Sequence, residues 1–82
     1  MSPDAELFIL SYAQLATALV LTPTHADYLT AKNAVEARLE TTYGISQLLI
    51  LARSIDFYTV AFQIDGEQQI ISFAVDEVEN FV

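Results

Sequence analysis

The sequence predicts an α+β domain in which two N-terminal helices pack on one face of a three-stranded antiparallel sheet, in the order ααβββ. Three observations lead there. Residues 3–43 carry apolar side chains at helical spacing, in two blocks separated by Thr22-Pro23-Thr24. After Gly44 the apolar period shortens toward two. Asp65-Gly66 then interrupts the alternating part with the strongest two-residue hairpin signal in the chain.

The first helix has Ser2 as its cap, Pro3 in its first turn, and Asp4 and Glu6 opposing the positive end of its dipole. Leu7, Leu10, Leu15, Ala18 and Leu19, with Phe8, Tyr12 and Val20, form a wide apolar face; Ser11, Gln14 and Thr17 form a narrow polar stripe. A helix this apolar is expected to be mostly buried. The stretch from Ala5 to Leu21 is too short and too interrupted for a membrane span. Asp4 and Glu6 give it the wrong charge for a secretory signal.

Thr24, with Asp27 three residues on, has capping-box spacing and is expected to open the second helix. Tyr28, Ala31, Val35, Leu39 and Tyr43 recur on one face of that helix, while Lys32, Glu36 and Glu40 are expected to point away. Gly44 stands where a left-handed cap ends a helix.

Ile45 to Arg53 holds the run Leu48-Leu49-Ile50-Leu51 and reads as a strand covered on both faces; periodicity alone leaves a short helix open. Phe57 to Ile64 alternates, with Tyr58, Val60, Phe62 and Ile64 on one face. A two-residue loop then sets Phe62 opposite Gln69, Val60 opposite Ile71 and Tyr58 opposite Phe73. Asp76 and Glu79 repeat the capping spacing, so a short helical turn from Asp76 to Phe81 closes the chain. Residues 1–82 read as a single domain.

Of the residues, 54% are apolar, at the upper end for a domain of this size, so some apolar surface is left for a partner or a second copy. The absence of cysteine excludes thiolate chemistry and disulfides and fits a cytoplasmic, reducing setting. His25 is the sole histidine, and no serine, threonine or lysine has a base beside it in sequence. No phosphate loop or calcium loop is present, so the expectation is a protein without cofactor, metal or catalytic residues.

The net charge of −8 argues against direct nucleic-acid or membrane binding and for a basic protein partner. From Ser54 onward there are six acids, Asp56, Asp65, Glu67, Asp76, Glu77 and Glu79, and no cation. The hairpin register gathers Asp56, Asp76, Glu77 and Glu79 at one end of the sheet; Asp65 and Glu67 lie about 25 Å away at the other. These six are the candidate partner-binding acids, with Phe57, Ile70 and Phe81 as apolar anchors, or a pocket between the first helix and the sheet. Such a surface would imitate a nucleic-acid backbone and block the basic groove of a DNA- or RNA-processing enzyme. The alternative is a homodimeric structural or adaptor module whose acidity only confers solubility.

In length, acidity and the order of two helices before an antiparallel sheet, the chain resembles the uracil-DNA glycosylase inhibitors of phages and, more broadly, small phage-encoded inhibitors including anti-CRISPR proteins. The resemblance implies a non-enzymatic inhibitor. In the glycosylase inhibitors a Glu-Ser-Ile strand enters the enzyme. Here Ser54-Ile55 follows Arg53, so no site residue carries over.

Overall fold

The computed structural model describes residues 1–80 and has the expected two layers. The elements run α1 (Pro3–Leu21), α2 (Ala26–Tyr43), β1 (Ile45–Arg53), β2 (Phe57–Ile64), β3 (Glu67–Ala74) and α3 (Val75–Glu79). The strands form one antiparallel sheet in the order β1-β2-β3.

Helix α1 begins as its first residues dictate. The Ser2 hydroxyl accepts from the Ala5 N–H at 3.2 Å, and Pro3 fills a position whose N–H would have no partner. The buried stripe, however, is Ala5, Ile9, Tyr12 and Ala13. Leu7, expected inside, is 62% exposed, and Val20 and Leu21 are also exposed. The reason is that α1 is apolar nearly all round, so its own composition does not choose a face. The partners choose it, and they select the residues at i, i+4, i+7 and i+8 from Ala5. By length and composition alone α1 could cross a membrane, which corrects the expectation that the stretch is too short and too interrupted, because the helix extends over 19 residues; here Ile9 and Ala13 are wholly buried in the core and the Tyr12 hydroxyl bonds to the sheet.

Helix α2 corrects the expected cap. His25, not Thr24, is the N-cap, and its Nδ1 accepts from the Tyr28 N–H at 3.2 Å. Thr24 is used in the preceding turn, closed by the His25 N–H donating to the Thr22 carbonyl at 3.1 Å. Lys32 and Glu36 do not point away. Lys32 is half-buried, its Nζ lies 5.6 Å from the centre of the Tyr12 ring, and it pairs with Glu36 at 2.8 Å. Gly44 ends the helix at φ 67°, the left-handed conformation expected of it. The helices run antiparallel, with Phe8 near the start of α1 meeting Tyr43 at the end of α2, ring centres 6.1 Å apart.

The hairpin register is the one the Asp65-Gly66 turn implies, from Ile64–Glu67 through Phe62–Gln69, Val60–Ile71 and Tyr58–Phe73. Asp65 and Gly66 take φ of 52° and 81°, the two positive values such a tight turn needs. Segment 45–53 is a strand, with register shifts between Ser46 and Leu49 and between Ile50 and Ala52. It is covered on one face only: Leu48 and Ile50 pack on the core while Leu49 and Leu51 are exposed. Among the described residues no second layer reaches the sheet's other side, so the expectation of two covered faces fails.

Ile9, Leu39, Ile45, Val60, Phe62 and Val78 are the largest fully buried side chains, drawn from both layers and from α3. Each contributes about 1.5–3 kcal/mol through apolar burial. Helix α3 starts one residue earlier than expected, with Ala74 as its cap and Asp76 inside its first turn. Two hydrogen bonds hold it beneath α1: Gln14 Nε2 donates to the Glu77 carbonyl at 2.9 Å, and the Val75 N–H donates to the Asp56 carbonyl at 2.9 Å. Gln14, from the polar stripe of α1, thus serves a helix–helix contact. Phe81, the expected end of this turn, lies outside the described residues.

Candidate functional site

The sheet face turned away from the helices is open and uncharged along its length. Cross-strand pairing sets Leu49, Ala61 and Ile70 in one row, Ser46, Gln63 and Gln68 in the row toward the hairpin, and Ala52, Thr59 and Ser72 in the row beyond. Leu49 is 57% exposed and Ile70 64%, whereas Ala61 between them is only 4% exposed because its two neighbours shade it. Phe57 and Leu51 are exposed at the far end. Of the three expected apolar anchors, Phe57 and Ile70 are therefore on this surface, and Phe81 is not among the described residues. Leu49 and Leu51 were missed, because a four-residue apolar run gives no sign of which members alternate outward.

The acids frame this face and do not cover it. Asp65 sits in the hairpin turn, and Glu67 opens β3 in the register of Ile71 and Phe73, on the helix side. At the opposite end Asp56 lies in the β1–β2 turn, tied by its carbonyl to the first residue of α3, which carries Asp76, Glu77 and Glu79. The six carboxylates therefore form two groups, one at each end of the sheet.

Glu79 differs from the others. Its Oε2 accepts from the Tyr58 hydroxyl and, at 3.0 Å, from Arg53 Nε. The Tyr58 hydroxyl and the Arg53 guanidinium hold its carboxyl below the ordinary glutamate range, and Glu79 with Tyr58 raises Arg53 further. Arg53 precedes the all-acidic segment in sequence but folds onto it, so Glu79 is committed internally. Asp56, Asp65, Glu67, Asp76 and Glu77 remain exposed, and none of them forms a salt bridge among the described residues.

A cleft of about 810 Å³ opens between the C-terminal half of α1, the start of α2, the sheet and α3, where a pocket between the first helix and the sheet was expected. Thr17, Leu21, Tyr28, Ile50 and Val78 line it. The Thr17 hydroxyl is buried there with no hydrogen-bond partner among the described residues.

His25 caps α2 and stacks on Tyr28, with ring centres 3.8 Å apart. Among the described residues the hydroxyl–carboxylate hydrogen bond is that of Tyr58 with Glu79, and no group of three metal-ligating side chains converges. What this arrangement offers chemically is docking: an uncharged platform with an apolar centre and exposed carboxylates beyond both ends. Comparison with protein-family profiles, with curated proteins and with solved structures returns no match for this chain.

Proposed function

We propose that this chain is a non-enzymatic binding protein that occupies the basic nucleic-acid groove of a DNA- or RNA-processing enzyme and blocks it. The observation that carries the reading is the set of five exposed carboxylates, Asp56, Asp65, Glu67, Asp76 and Glu77, without salt bridges among the described residues and grouped at the two ends of the sheet. The groups stand about 25 Å apart, roughly seven nucleotide steps along a DNA strand. A groove built to neutralise phosphates would meet them with lysine and arginine. Electrostatic steering makes such an encounter fast and salt-sensitive, while the exposed apolar row supplies the anchors that rim charges alone do not.

The test combines inhibition with capture. Uracil-DNA glycosylases and CRISPR effectors, suggested by the layout, are the enzymes to assay first. Inhibition is expected to fall as salt rises, and competitor DNA is expected to release the protein. Changing Asp56→Asn, Asp76→Asn and Glu77→Gln together is expected to weaken binding at least about tenfold. Glu79 stays unchanged because it holds Arg53 and Tyr58. Unaltered binding by the triple variant would remove the acidic ends from the interface. The second reading, a homodimeric adaptor, draws on the exposure of Leu49 and Ile70 and is checked by sedimentation of the free chain.

A further inference from the structure

We propose that the open face of the sheet, centred on Leu49, Ala61 and Ile70, is the docking surface, and that its occupant is a protein surface with an apolar centre between two cationic clusters. This rests on the reading above and deepens it by naming the face that engages.

Two quantities choose the occupant. Strands of nine, eight and eight residues, at ~4.8 Å between strands and ~3.3 Å per residue, present roughly 400 Å² per copy. A second copy packed face to face would bury about 800 Å² in total, short of the ~1,200–2,000 Å² of stable interfaces. Charge points the same way. In a face-to-face pair with aligned strands the acidic ends of one copy lie near acidic ends of the other, with sheets only about 10 Å apart. A chain of net charge −8 then opposes itself. A partner with lysine or arginine beyond an apolar centre turns that repulsion into attraction. It also extends the buried area past the strands onto Asp56, Asp76 and Glu77 at one end and Asp65 at the other.

The face is suited to this. No charged side chain stands in the rows from Ser46–Gln63–Gln68 to Ala52–Thr59–Ser72, so docking desolvates no ion there. Its polar members are short or neutral, and Thr59 and Ser72 already face each other with hydroxyl oxygens 3.4 Å apart.

The experiment is an NMR titration of the isotope-labelled chain at low salt with a synthetic peptide. The peptide has five apolar residues between two lysine pairs; a counterpart with glutamate pairs is the control. Expected are amide shifts at Leu49 on β1 together with Ala61 and Ile70, and no binding of the glutamate peptide. Ile70→Lys and, separately, the milder Ile70→Gln keep the native spectrum and weaken the lysine peptide, the former at least about tenfold by placing like charge at the centre. Shifts confined to the helical cleft at Thr17, Leu21 and Ile50 overturn the proposal. So do equal binding of the glutamate peptide, no binding at all, or a free chain that sediments as a dimer and loses it on Ile70→Lys. A chain that holds the lysine peptide on the sheet yet inhibits no nucleic-acid enzyme supports this surface and retires the earlier reading.

Discussion

Tyr12 shows how one side chain ties the two layers. Its hydroxyl donates to the Leu48 carbonyl at 3.0 Å, and Leu48 lies in the first irregularity of β1, between Gln47 at φ 53° and the resumption of pairing at Leu49. Tyr12→Phe keeps the ring but removes the donor, so a loss of about 0.5–1.5 kcal/mol is expected in urea denaturation. Gly44 is a second such residue. A Cβ there would meet nothing nearer than Asp65 Oδ1 at 3.8 Å, so Gly44→Ala costs only the left-handed backbone, about 1–2 kcal/mol. Glu79 contributes a pH signature. Its folded pKa is depressed by Tyr58 and Arg53, so its contribution is present above the ordinary glutamate value and is lost as pH falls through the depressed one. In acid titrations followed by circular dichroism, Glu79→Gln is expected to flatten the stability change in that window below the ordinary value.

At the scale of elements, the layers packed against α1 decide which of its many apolar residues matter. Ile9 is fully buried and Leu7 is 62% exposed, although both sit in the same apolar stretch. Ile9→Ala is expected to cost about 2–5 kcal/mol, and Leu7→Ala no more than about 0.5 kcal/mol, by thermal or chemical denaturation. The hairpin is the most local element. Its register follows from two residues with positive φ, and all eight β2–β3 pairs fall in line behind them. Strand β1 behaves differently because it is extended with interruptions. Two register shifts break the simple alternation, so the sequence shows an apolar run without showing which face each leucine takes. Caps follow the same division. Ser2 and Gly44 were legible because each acts on its own helix, whereas Thr24 lost its role to His25 once Thr22 closed the turn.

For the whole molecule, the consequence of a two-layer fold with three strands is one covered sheet face and one open face. The open face contributes little to stability. Ile70→Lys is therefore expected to leave the unfolding free energy within about 0.5 kcal/mol while altering binding, a separation that core substitutions do not give. The charge pattern also belongs to this scale. The acidity of the C-terminal half was plain from the sequence, and so was the approach of Asp56 to α3. The reach of Arg53 to Glu79, across 26 residues, was not, because that pairing depends on where α3 docks.

Periodicity, turn chemistry and capping residues were enough to specify two helices and the hairpin with its pairing, because each acts over a few neighbouring residues and obeys a short repeat; for residues 45–53 they favoured a strand and left a short helix open. Packing settled the rest: which stripe of α1 is inside, which leucines of β1 face outward, that His25 caps α2, and that Glu79 is withdrawn from the exposed acids onto Arg53 and Tyr58. Those outcomes depend on contacts between residues far apart in the chain, whose free energies arise only when the layers meet.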